Sequence, residues 1–147
     1  MAITYKELKD RLTDFGFEED DVAREDYKRI YINSFNEAGE IMYTDVMLPI
    51  ESYLRKAENA DLYINIDVFG NDELKRITKI MDETEDDDEV YVPDILVPLY
   101  VLLAAHYAWL DDDITKATIY WNEYDDLKDR LIANVNRPRN AEIIGGF

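Results

Sequence analysis

The stretch HYAWLDDDITKATIYWNEYDDL, residues 106–127, gathers the groups of this chain that could do chemistry. It holds the single histidine, both tryptophans, three tyrosines and six carboxylates. A histidine beside ionised aspartates can act as a general base, and two carboxylates in different environments can divide acid and base roles. Two packed helices with acidic outer faces would have the same composition. The requirements of each chemistry discriminate. A P-loop needs GxxxxGK followed by Ser or Thr, and no such run occurs. A zincin needs two histidines on one helix, and His106 stands alone. A Ser-His-Asp triad could use only His106, which lies in the most apolar segment, where a lone histidine is more often a packed or interface residue. Carboxylate pairing proves nothing in a chain with 34 acids, because one of the pair must be raised by burial while the other stays ionised. An EF-hand frame opening at Asp82 puts Asp87 where glycine is required and Pro93 where the bidentate glutamate belongs. The run DETEDDDE, residues 82–89, therefore reads as a solvated charge run. No catalytic residue, metal ligand or cofactor is expected.

The stretch is instead read as architecture. Trp109, Trp121, Tyr107 and Tyr124 make a packing seam, or its rim, within a helical hairpin. Asp111 to Asp113 join the two helices and cap the second. The elements that position them follow from periodicity. VPDILVPLYVLLAAHYAWL is apolar nearly all round, which makes it the central buried helix, with Asp94 as its N-cap and Pro98 early enough to be tolerated. In the next helix Ala117, Tyr120, Tyr124, Leu127 and Leu131 recur at three- and four-residue steps, so the two form an antiparallel pair joined by a short turn. Leu99, Leu103, Trp109, Tyr120, Tyr124 and Leu127 are the expected core of that pair.

Upstream, Thr4 with Glu7 three positions on is a capping box, opening a short helix that Gly16 ends. A second helix is predicted from EEDD (18–21), with Ala23, Tyr27, Ile30, Tyr31, Ser34, Phe35 and Ala38 on one stripe and a stop at Gly39. Residues 41–60 read as a loop with one helical turn, broken by Pro49. LYINIDVFGN alternates as a half-buried strand with a turn at Gly70–Asn71. ELKRITKIM then pairs back as a second strand, although its apolar spacing also fits a helix; the β element covers about 62–81. The predicted fold is mainly α, classed as α+β: a small helical bundle built on the C-terminal antiparallel hairpin, with a short β-hairpin. Residues 1–135 make a single domain, and 136–147 (NRPRNAEIIGGF) an extended arm.

With 147 residues, 47% of them hydrophobic, the chain can bury one core, and it is too apolar for a disordered acidic protein despite a net charge of −18. Eleven tyrosines suit interfaces or the rim of a core equally. With no cysteine, disulfides, CxxC redox chemistry and thiolate metal sites are excluded. The N-terminus has no apolar signal segment, and the longest apolar run, Ile95–Leu110, is shorter than the roughly 18–20 residues of a membrane span, so a cytosolic origin is expected. A sequence pI near 4.2 repels free nucleic acid.

The order of parts is YKRIYINSFNEA, a short β element, then PDILVPLYVLLAAHYAWLDDDITKATIYWNEYDDL and a Gly-Gly-aromatic end, IIGGF. It resembles the head–tail connector (adaptor) proteins of tailed bacteriophages over roughly residues 20–147. The similarity is strongest in the buried helix, the Asp-Asp…Lys-Ala turn and the Tyr…Glu-Tyr helix that follows. The resemblance implies a virion neck protein made in the host cytoplasm and lacking enzymatic activity. It implies a homo-oligomeric ring, typically of twelve copies, under the portal protein. The ring would extend the channel for genome ejection and dock the next neck or tail component. Its arm would reach the portal or a neighbouring subunit through Arg137, Arg139, Ile143, Ile144 and Phe147. Twelve copies of −18 would carry about −200 charges, so genomic DNA would slide past without specific binding. Two other classes compete: an acidic DNA mimic that binds a DNA-processing enzyme, and a small metal-dependent hydrolase.

Overall fold

The computed structural model describes residues 3–18, 27–57, 63–65, 68, 69 and 72–136. The chain starts with strand β1 (Ile3–Thr4) and helix α1 (Tyr5–Arg11). The capping box is present: Thr4 Oγ1 accepts from the Glu7 amide at 3.2 Å and Glu7 Oε1 accepts from the Thr4 amide at 3.3 Å. A 3₁₀ turn, Leu12–Phe15, tightens the end of α1, and Gly16 closes it in the left-handed region at φ 92°. A side chain at Gly16 would be strained at this φ and would also crowd the Trp109 ring at 3.3 Å, so glycine is favoured there.

Helix α2 is Lys28–Met42. Residues 19–26, including the predicted start among the acids and Ala23, lie outside the described residues. Tyr31, Ser34, Phe35 and Ala38 face the core as the stripe predicts. The predicted stop at Gly39 is wrong. Gly39 is a buried interior residue beside Ile77 and Tyr100, and packing against the central helix that begins at Val97 outweighs the roughly 1 kcal/mol helix penalty of glycine. The loop expected over 41–60 is also corrected. α2 runs into a π-turn, Tyr43–Met47, in which the Leu48 amide donates to the Tyr43 carbonyl at 3.0 Å. Helix α3 (Glu51–Ala57) follows. Pro49 falls at the junction between the two, where its missing N–H costs no ladder bond.

Strands β2 (Tyr63–Asn65) and β3 (Asp72–Leu74) pair antiparallel, with Tyr63 opposite Leu74 and Asn65 opposite Asp72. The second strand thus begins before Glu73 and ends at Leu74, and the predicted extension to Met81 is not there. Residues 75–80 are neither helix nor ladder. They are held by single contacts: Asn36 of α2 clasps the Ile80 backbone, accepting from its amide at 2.7 Å and donating to its carbonyl at 2.9 Å. On the other side the Thr78 amide donates to the Tyr91 carbonyl at 3.1 Å. A second small sheet joins β1 to β4 (Glu89–Val90), with Ile3 opposite Val90. It binds the acidic run to α1. The Lys6 amide donates to the Asp86 carbonyl at 2.9 Å, and Lys9 Nζ lies 2.6 Å from Asp86.

Asp94 does not cap the central helix with its side chain. It opens a 3₁₀ turn, Asp94–Leu96, behind Pro93, and helix α4 (Val97–Trp109) follows with Pro98 in its first turn. Proline supplies the fixed φ there and the turn needs no donor. Leu99 through Ala105 and Ala108 are all buried. Helix α5 (Ile114–Asn136) returns antiparallel and, at about 35 Å, outruns its partner. It includes Asn136, so the helix reaches one residue further than the predicted domain end. α4 lies between α2 and α5, with the 3₁₀ turn Leu12–Phe15 packed at its C-terminal end, where Trp109 meets Phe15. The fold is a mainly α bundle with short antiparallel β pairs. Among the described residues no helix is long and apolar enough to cross a membrane.

Candidate docking surface

The aromatic-acidic stretch 106–127 is built inward. Asp113 Oδ1 accepts from the amides of Thr115 and Lys116, both at 3.1 Å, satisfying two of the donors that the start of α5 leaves over. The amides of Asp112 and Asp113 donate to the Trp109 carbonyl at 3.1 and 2.9 Å, which closes the turn. His106 Nδ1 lies 2.6 Å from the Ala117 carbonyl. A carbonyl only accepts, so Nδ1 carries the proton, and the ring is a strut between α4 and α5 rather than a base presented to solvent. Trp121 packs on the same ring at 5.3 Å and on Tyr124 at 5.5 Å.

Trp109 departs from the expected seam inside the hairpin. Its indole N–H donates to the Phe15 carbonyl at 2.8 Å, its ring stacks on Phe17 at 4.5 Å, and Lys116 Nζ sits 4.2 Å above it. Tyr120 meets Phe15 edge-on at 5.4 Å. Both residues therefore fasten the N-terminal segment to the hairpin turn. Of the six expected core residues, Leu99, Leu103 and Tyr124 are buried, while Trp109, Tyr120 and Leu127 pack against the core half-buried. Burial pushes the Tyr100 and Tyr124 phenols up; nearby Tyr5 adds for the first, and Asp45 leads the added charges for the second. Phenols raised in this way stay protonated at neutral pH.

Among the described residues no cluster of histidine and acids is arranged to hold a metal ion. The acidic run is largely exposed; besides Lys9 on Asp86, Arg29 pairs with Asp82 at 3.2 Å. The arm candidates Arg137, Arg139, Ile143, Ile144 and Phe147 all lie outside the described residues.

A cleft of about 290 Å³ opens between α2 and the unpaired segment 75–80. Phe35, Gly39 and Ile77 line its apolar part, and Glu40, Arg76 and Lys79 its exposed part. Arg76 is already engaged. It pairs with Glu73 at 3.1 Å, approaches Glu40 at 4.0 Å and lies 3.8 Å over the Tyr43 ring. Lys79 has no ion pair among the described residues. Sequence reasoning missed this cleft, because taking Gly39 as a helix end removed its floor. The one available signal was a glycine inside an otherwise unbroken apolar stripe. Apolar side chains also face outward at the β2–β3 tip, where Val68 is 91% exposed, and at the start of α5, where Ile114 is 63% exposed.

No family model matches the chain, and neither a curated protein nor a solved structure matches it significantly.

Proposed function

We propose that the chain is a structural virion protein, a head-to-tail connector. Its copies form a ring under the portal, extend the DNA channel and carry the next neck or tail component. The observation that supports this best is the spatial order of parts. A buried helix turns through a capped acidic corner into a long antiparallel helix, preceded by a packed helix and a short β-hairpin, and this is the order the sequence resemblance implies. The inward use of His106, Trp109 and Asp113 in the 106–127 stretch favours a scaffold that works by assembly rather than catalysis. Surface charge acts in the same sense, since an acidic wall keeps a passing duplex mobile.

Electron microscopy of the purified chain, alone and mixed with portal rings of its own virus, tests the reading. The expected image is a closed ring coaxial with the portal. Particles that stay monomeric and leave the portal bare, with tight binding to a DNA-processing enzyme instead, would overturn it in favour of a DNA mimic.

A further inference from the structure

The cleft beside α2 has a shape and charge that select an occupant. Its volume of about 290 Å³ lies at the lower edge of the roughly 300–1,000 Å³ of sites that enclose small molecules and has room for one or two apolar side chains. Its lining includes Ile77, 8% exposed, together with the buried Phe35 and Gly39. Its rim holds Glu40 and Arg76, 4.0 Å apart, and Lys79, exposed and without an ion pair among the described residues. On a chain of net charge −18 most surfaces repel an acidic segment, and a cation beside an apolar lining is where one can settle. The wanted occupant is therefore an acid followed by small branched apolar residues. The chain carries that pattern at Glu142–Ile143–Ile144. From the end of α5 at Asn136, seven residues reach at most about 25 Å, about two-thirds of the roughly 38 Å breadth of a compact domain of this size.

We infer that the cleft between α2 and residues 75–80 receives Ile143 and Ile144 of a second copy of this chain, with Lys79 pairing to that copy's Glu142. This deepens the ring reading and rests on it. The contact is heterologous, cleft on one copy and arm on the next, as a rotational ring requires. Two branched side chains against that lining would supply affinity, and the rim ion pair would set register more than strength.

The absence of native cysteine makes the test direct. The full chain carrying Lys79→Cys and Ile143→Cys is oxidised at the concentration where the unmodified chain assembles. Covalent dimers and higher multimers are expected, with Lys79→Cys paired to Val68→Cys giving none. In parallel, Lys79→Glu and Glu142→Lys are each expected to weaken assembly about fivefold, read by native mass spectrometry, and the double variant to recover it. Rings that form while the cysteines stay unlinked, link only within one chain, or link through Val68 overturn the inference and leave the ring reading intact. Rings indifferent to both charge reversals overturn it in the same way. If no ring forms at all, the ring reading falls. The inference, which rests on that reading, falls with it.

Discussion

The α4–α5 hairpin and the limb formed by β2, β3 and residues 75–80 are built on opposite principles. In the hairpin, polar atoms are spent internally: Asp113 on the α5 amides, His106 on the Ala117 carbonyl and Trp109 on the Phe15 carbonyl. In the limb, backbone and apolar groups are held at isolated points, by Asn36 and by Tyr91, and a cleft is left open beside Gly39. The buried Tyr100 and Tyr124 hydroxyls have no hydrogen-bond partner among the described residues, but the turn and the start of α5 are matched from within, as a scaffold requires. A region that leaves a cleft open with an exposed cation, Lys79, at its rim is equipped to meet another chain. The residues that look most chemical in the sequence thus serve the scaffold, and the docking capacity lies in an undistinguished stretch, RITK.

The largest expected effect tests the hairpin. Leu103 is fully buried in α4, and Leu103→Ala should cost about 2–5 kcal/mol of unfolding free energy in urea. Ile77→Ala, at a wall that already faces a cleft, should fall at or below the bottom of that range, because fewer neighbours are lost. Equal costs would erase the contrast between the two regions.

Alkaline titration comes next. The Tyr5 phenol is pushed up to about 12, by burial first and by Asp86 second, from an ordinary value of 10.0. The unfolded chain releases this proton as pH passes 10, while the folded chain keeps it to about 12. Stability is therefore intact below pH 10 and is lost between pH 10 and 12, by on the order of 3 kcal/mol from Tyr5 alone. Tyr100 and Tyr124, pushed in the same direction, add to the loss. Unfolding and phenolate absorbance should rise together. Phenolate appearing well before unfolding would mean that the tyrosine core is open to water.

How much of this is legible in the sequence depends on how far apart the partners are. The Thr4–Glu7 capping box, the apolar α4 and the Asp113 cap all depend on residues within a few positions of one another, and periodicity exposes them. Leu99, Leu103 and Tyr124 follow from the same spacing. Local pattern also marks Trp109 as packed, but its real partner, Phe15, is 94 residues away, and nothing nearby in the chain points to it. The clasp of Asn36 on Ile80 spans 44 residues, and the pairing of Thr4 with Glu89 is equally non-local. Gly39 shows the same effect with the opposite outcome. Local chemistry says stop, and the helix continues because α4 and Ile77 bury that face.

A smaller effect separates the turn from the helices it joins. Asp113→Ala removes both cap bonds and should cost about 1 kcal/mol, with Asp113→Asn recovering most of it. Fraying should appear as faster hydrogen exchange in the first turn of α5 while α4 stays protected. Equal acceleration in both helices would show that the hairpin opens as one unit.

The smallest effect has the opposite sign and bears on the cleft. Gly39 sits inside α2 with helical backbone, where alanine is favoured over glycine by about 0.4–1 kcal/mol. A β-carbon there would meet Ile77 at 3.6 Å and Tyr100 at 3.8 Å, ordinary contact distances that need no rearrangement. Gly39→Ala should therefore raise the thermal midpoint slightly. The added methyl also covers the floor of the cleft, so the same substitution should weaken assembly between copies. A variant that is more stable as a monomer and poorer as a ring cannot be explained by damage to the fold. If it were both more stable and undiminished in assembly, the limb would be a second piece of scaffold and the contrast with the hairpin would vanish.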